Sequence, residues 1–200
     1  MSSNSRTRIL TEAERLFGQH GFAATRLASI ASAAGLGNAG LLHHFKSKAV
    51  LYRAVLDEIA SDLNTRYTVN DTSADTSTML DQLIEGLLSM HRDRPNAMAI
   101  VTHEFLDQSG RIEEAEFLPL ATVVGDTIAV LKAGQRAGTI REGNPIAMTA
   151  ALHGVIIIGC LGYTVYQRTG GVSSSGEMVF NHWEKELARS ARACVCICEC

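Results

Sequence analysis

The sequence predicts an all-α protein, with a three-helix helix-turn-helix unit at its N-terminus and a longer helical domain behind it. Three observations carry that expectation. Apolar residues recur at three- and four-residue steps and almost never alternate, which is the helical period and not the strand period. The only prolines, Pro95, Pro119 and Pro145, lie in the second half of the chain. Gly21, Gly35 and Gly37 cut the first half into short pieces of the length a helix-turn-helix uses.

The first helix spans about 6–20, with Ile9, Ala13, Leu16 and Phe17 on one face and Gly21 just past its end. Thr25 suits the N-cap of a short second helix carrying Leu27, Ile30, Ala31 and Ala34. Gly35-Leu36-Gly37 makes a tight connection to a third helix from Asn38 to His44 or Phe45. Ser47 caps a fourth, with Leu51, Val55, Leu56, Ile59 and Leu63 turned inward. Segment 68–77 is polar and lacks a helical stripe, so it reads as a boundary. Further helices are expected near 77–92, 95–109, 114–137, 144–167 and 176–193. Pro95 and Pro145 fall near helix starts, where a missing N–H costs nothing. Gly134, Gly138 and Gly143 are expected to bracket a loop. The division expected is a reader unit over 1–67, a second domain over 68–193 and a cysteine-rich tail over 194–200.

Charge is unevenly spread. The net charge is −3, yet residues 1–56 carry seven basic side chains (Arg6, Arg8, Arg15, Arg26, Lys46, Lys48, Arg53) against Glu12 and Glu14. A basic head on an acidic body suits a phosphate-binding module joined to a separate domain. The longest apolar run, Gly154 to Gly162, is short of the roughly 20 residues of a membrane span, so no membrane partner is expected. No apolar segment follows Met1-Ser2-Ser3-Asn4-Ser5-Arg6, which points to the cytoplasm. Nucleophile elbow, phosphate loop and His-Glu-x-x-His are all absent, so an enzyme is not expected. No cofactor is expected either.

The informative stretch is 25–48, two short helices joined by a glycine turn. Ala31 and Ala34 are small enough for close helix approach, and Gly35 can take the positive φ that turns the chain. Leu27, Ile30, Leu36, Leu41 and Phe45 supply a shared core, leaving Asn38, Ala39, Gly40, Leu42, His43 and His44 facing outward. Short residues at the start of that helix let its backbone approach the floor of a DNA major groove. Arg26 and Lys46 flank it. His43 and His44 are poor joint metal ligands, because neighbours on a helix point apart.

From Arg8 through Val55 the chain resembles the DNA-binding domain of the TetR family of repressors. The matching residues are Ile9-Leu10, Ala13, Leu16-Phe17, Gly21-Phe22, Thr25, Ile30-Ala31, Ala34-Gly35, Leu41, His43, Phe45, Ser47-Lys48 and Leu51. The resemblance implies a recognition helix over 38–44, with phosphate contacts from Thr25, His43 and Lys48. Leu42 departs from the family, which usually has an aromatic residue there, and His44 replaces a common tyrosine. Residues 78–193 resemble the family only in helix pattern. That pattern implies a homodimer formed by the helices near 144–167 and 176–193, a palindromic double-stranded operator, and a small-molecule effector that releases it. Effector candidates are Met90, His91, Met98, His103, Phe105, Phe117, His153, Cys160 and Tyr163, a mixture suited to an apolar or aromatic molecule with one or two polar anchors. In this scheme the effector shifts the fourth helix, about 48–67, and changes the separation of the two recognition helices.

The tail Cys194-Val195-Cys196-Ile197-Cys198-Glu199-Cys200 leaves two readings open, soft-metal binding or disulfide formation. Its spacing matches no usual zinc pattern, and a cytoplasmic location disfavours stable disulfides. No metal site is assigned there.

Overall fold

A computed structural model describes residues 2–67, 75–106, 118–169 and 177–196. Nine helices fall within them: α1 (Ser2–Ala24), α2 (Leu27–Ala33), α3 (Asn38–His44), α4 (Lys48–Tyr67), α5 (Thr76–Asp93), α6 (Pro95–Leu106), α7 (Leu118–Ala137), α8 (Pro145–Thr169) and α9 (Glu177–Ala193). Among the described residues the only extended pairing is an isolated antiparallel bridge between Ile140 and Cys196. The all-α expectation holds.

The chain forms two compact units, Met1–Asp62 with Asp93–Pro119, and Leu63–Arg92 with Leu120–Cys200. In the first, α1 to α3 and most of α4 bury Ile9, Ala13, Phe17, Ile30, Leu41, Leu51, Val55 and Ile59, each at 1% exposure or less. Gly21 breaks α1 with φ 75°, where a side chain would be strained. The turn beyond it sets Phe22 against Tyr52, ring centres 4.8 Å apart, and Tyr52 meets Phe17 edge-on at 4.8 Å.

Compactness divides the chain differently from its sequence. Helix α6 belongs with the reader helices, although it follows the expected boundary at 68–77. At Gly18 a Cβ would lie 2.7 Å from the Asn96 carbonyl oxygen, so only glycine lets α1 and α6 approach so closely. Tyr52 donates a 2.6 Å hydrogen bond to the Glu104 carboxylate. Arg94 donates to Asp62 at 2.8 Å and also to Glu14, tying the start of α6 to α1 and α4. The expected boundary also ran too far: residues 76–77 open α5, whose first turn is capped by Asp75 accepting from the Thr78 N–H at 2.9 Å.

The second unit packs α5, α7, α8 and α9. Gly138, with φ 72°, closes α7: its N–H reaches the Gln135 carbonyl and the Thr139 N–H reaches that of Gly134 at 2.9 Å. Gly134, expected at the edge of the loop, lies inside α7. A Cβ there would meet Ile140 at 2.2 Å and Thr76 at 2.7 Å, so this glycine makes room where the chain folds back. Asn144 caps α8 by accepting from the Ile146 and Ala147 N–H groups, and Pro145 takes the first helical position. Gly159 makes room for Leu187 of α9, and its carbonyl accepts the Trp183 indole N–H at 3.2 Å.

One sequence expectation needs adjustment here. Pro145–Tyr163 is long and apolar enough to cross a membrane, because a hydropathy window averages over His153, which bounds the visible apolar run, and takes in the apolar residues ahead of it. By length and composition alone a buried core helix passes the same test, and 44% of this window is buried inside the protein.

Candidate nucleic-acid interface

The helix-turn-helix is set by one glycine turn. Gly35, at φ 69°, donates to the Ser32 carbonyl at 3.0 Å, and Leu36 donates to that of Ala31 at 2.8 Å. These paired bonds satisfy the last carbonyls of α2 and redirect the chain into α3. Leu41 and Phe45 then anchor α3 at 0% and 3% exposure. Leu27 and Leu36, expected in the shared core, are only half-buried and sit at its margin.

With Leu41 inward, Asn38, Ala39, Leu42 and His43 are exposed, and Gly40 and His44 are half-buried. Leu42 keeps 42% of its surface open, a large aliphatic group left in water on the unpaired face. The His43 and His44 rings meet edge-on with centres 5.6 Å apart. Arg8, Arg26 and Lys46 are exposed, and no side-chain partner engages them among the described residues. By contrast Arg15 pairs with Glu12 at 2.8 Å, and Arg6 lies over the Phe45 ring at 5.4 Å.

Two residues expected to touch phosphate are built inward. Thr25 is not the cap of α2: Arg26 holds that position, with no side-chain cap. The Thr25 side chain is buried at 4% exposure, and its hydroxyl lies 2.8 Å from the Gly21 carbonyl and 3.1 Å from that of Leu16. The carbonyls left open by the break at Gly21 draw the hydroxyl backward. Lys48 donates to the Ala23 and Thr25 carbonyls at 3.2 and 2.9 Å, and its ammonium sits 4.4 Å from the Phe22 ring centre. It therefore fastens the start of α4 to the end of α1. Ser47 caps α4 as expected, accepting from the Val50 N–H at 3.2 Å.

Sequence reading passed over Ser29 and Ser32. Both are exposed on α2, and with Arg15, Leu16, Arg26, Ala28 and Ala33 they line a shallow groove. The available signal was polarity on the solvent side of an alanine-rich helix.

The effector candidates do not gather in one unit. Met98 is buried and His103 exposed on α6 of the first unit, whereas Met90, His91, His153, Cys160 and Tyr163 lie in the second. Phe105 is on α6 with its side chain outside the described residues, and Phe117 lies outside them altogether. His153 is 5% exposed, with Nε2 3.1 Å from the Thr127 hydroxyl oxygen. That hydroxyl donates to the Val123 carbonyl at 2.8 Å, so the imidazole Nε2–H is the donor of the shared bond. Burial lowers the His153 pKa to about 4, keeping the ring neutral. Burial, then the nearby Glu184 charge, raises the Cys160 thiol to about 12, with Arg92 opposing, so this thiol is unreactive. His91 is lowered by burial alone.

Comparison with known proteins agrees with this geometry. Residues 9–55 match the family described as bacterial regulatory proteins, tetR family. The chain is 29% identical to the HTH-type transcriptional regulator TtgR of Pseudomonas putida over 167 residues, covering 78% of this chain and 80% of TtgR. It is 27% identical to the HTH-type transcriptional regulator RutR of Escherichia coli K12, covering 68% of this chain and 65% of RutR. The fold matches that of the ketosteroid transcriptional regulator KstR2 of Mycobacterium tuberculosis, with a TM-score of 0.74 at 18% identity over 96% of this chain and 95% of that one. With a glycine-turned reader over the matched residues and transcriptional regulators as its relatives, this chain is a DNA-binding transcriptional regulator, not an enzyme, whose reader over residues 9–55 is similar to that of the tetR family.

Proposed function

We propose that the protein is a cytoplasmic repressor that reads a palindromic operator as a homodimer and leaves it when a small molecule binds. The outward face of α3 carries this reading: Asn38, Ala39, Leu42 and His43 stand exposed while Leu41 anchors the helix from behind. Asn38 and His43 offer hydrogen bonds to base edges or phosphate, and Leu42 offers apolar contact to a thymine methyl. Gly40 and His44 border that face, and the exposed cations Arg26 and Lys46 take phosphates beside it. Thr25 and Lys48 position these groups from beneath.

A second copy is favoured by α8. Ala151, Ile158 and Val165 are exposed at seven-residue steps along a strongly apolar helix, an open seam of the kind that pairs helices. An apolar or aromatic effector with a polar anchor suits the second unit, which holds Met90, Cys160 and the His153–Thr127 pair as buried groups and His91 and Tyr163 as half-buried ones.

Selection from randomised duplex DNA tests the proposal. An enriched palindrome with half-sites about one helical turn apart is the expected result. Binding without an enriched motif, and only at low salt, would replace specific reading with nonspecific phosphate attraction.

A further inference from the structure

We propose that Glu104 of α6 is a positioning residue for DNA reading, acting through Tyr52 and Phe22 on the turn that leads into α2. Glu104 lies outside the matched residues 9–55, yet it packs in the same compact unit as they do. Its carboxylate is 6% exposed and accepts the Tyr52 hydroxyl at 2.6 Å, the length of a hydroxyl bonded to a carboxylate. Burying such a group is costly unless hydrogen bonds replace the lost water, so this bond orients both side chains. Helix α6 is a firm support for it. Ala97, Ile100 and Val101 are buried at 1% exposure or less, and α1 meets the first turn of α6 at Gly18 with no room for a side chain.

From Tyr52 the contacts run to the reader helices without a gap. Its ring meets Phe17 and Phe22, each with centres 4.8 Å apart. Phe22 follows the break at Gly21, and the Lys48 ammonium sits 4.4 Å from its ring centre. That ammonium donates to the Ala23 and Thr25 carbonyls at 3.2 and 2.9 Å, just ahead of Arg26, which opens α2. The neighbouring His103 reaches the same place: its Nδ1 lies 4.0 Å from where a Gly21 side chain would begin. A Tyr52 ring without its hydrogen bond loses a constraint on its tilt, and the close-packed Phe22 must follow it. Lys48, held by both the ring and the carbonyls, passes that displacement to the start of α2. The turn at Gly35 then carries it into α3. The inference rests on the outward face of α3 being the surface that reads DNA.

The bond is best removed as a pair. Y52F/E104L deletes it and leaves neither polar group behind, so stability should change little. E104Q keeps an acceptor oxygen for the Tyr52 hydroxyl. Y52F alone is the second variant should the double one fail to fold, and circular dichroism of the full-length proteins checks all three. In amide hydrogen exchange without DNA, Y52F/E104L is expected to speed residues 30–34 about tenfold, the worth of one such hydrogen bond, while residues 9–13 of α1 stay as they were. In filter binding, the duplex most enriched from a random pool by the unaltered protein should be held about tenfold more weakly by Y52F/E104L, and as before by E104Q. A bond that only stabilised the unit would speed both stretches alike. That result, unaltered exchange at 30–34, or unchanged affinity for the enriched duplex would overturn the proposal. If the pool enriches no duplex, the reading of a specific operator fails, and the exchange comparison still decides the role of Glu104.

Discussion

Arg94 stands just ahead of α6 and holds two carboxylates of the first unit. Its guanidinium is 24% exposed, Glu14 is 17% exposed and Asp62 is 25% exposed. Burial pulls the Arg94 pKa down, but hydrogen bonds and charge from Glu14 and Asp62 outweigh it, and the net shift is upward. Arg94→Met keeps the aliphatic stem and removes the cation, leaving both carboxylates three-quarters or more shielded without their shared partner. Breaking a fully buried ion pair costs about 3–5 kcal/mol, whereas an exposed one contributes about 0–1 kcal/mol. At these exposures the loss should fall between, about 2–3 kcal/mol. For a chain of this size that is a fall in Tm of roughly 4–12 °C. Urea unfolding at pH 7, followed by circular dichroism, measures it. The triple variant E14Q/D62N/R94M should regain at least half the loss, because no uncompensated charge remains. A loss below about 0.5 kcal/mol for Arg94→Met would refute the reasoning and class the triad with exposed surface pairs.

Three further outcomes are expected. Gly18→Ala places a methyl 2.7 Å from the Asn96 carbonyl oxygen; since backbone must move, an overpacking cost of about 1–3 kcal/mol is expected, and an unchanged urea midpoint would mean the contact yields freely. His153 titrates near 4 when folded and 6.5 when unfolded, so the unfolded chain binds the proton more readily between these values. The stability it contributes is fully present above pH 6.5 and falls by about 3 kcal/mol as pH drops to 4, at about 1.4 kcal/mol per pKa unit. A His153→Leu/Thr127→Val protein should lose that slope, and an unaltered pH profile would place the titration elsewhere. Arg26→Ala and Lys46→Ala should each weaken operator binding and reduce the slope of log K against log salt by about 2 per dimer, one phosphate per copy; an unchanged slope in filter binding would take that residue off the backbone.

Short-range features of this protein were legible in its sequence because short-range physics decides them. Gly35 can turn one helix into the next because its positive φ is a local matter, and Ser47 caps α4 through a bond three residues away. The spacing of Leu41 and Phe45 likewise determined which face of α3 is buried, and so which face is left to solvent. Contacts between distant residues were decided only by the tertiary structure. Thr25 reads as a cap until the broken end of α1 offers it the Gly21 carbonyl, and nothing near Lys48 in the sequence announces that its ammonium reaches the same helix end. Helix α6 reads as part of the second domain because nothing in its periodicity names a partner. Gly18, Arg94 and Glu104, each 32 to 80 residues along the chain from the groups they meet, bind it to the reader instead. Periodicity encodes which face of a helix avoids water; which other helix covers that face depends on volumes and charges that meet only after the chain has folded.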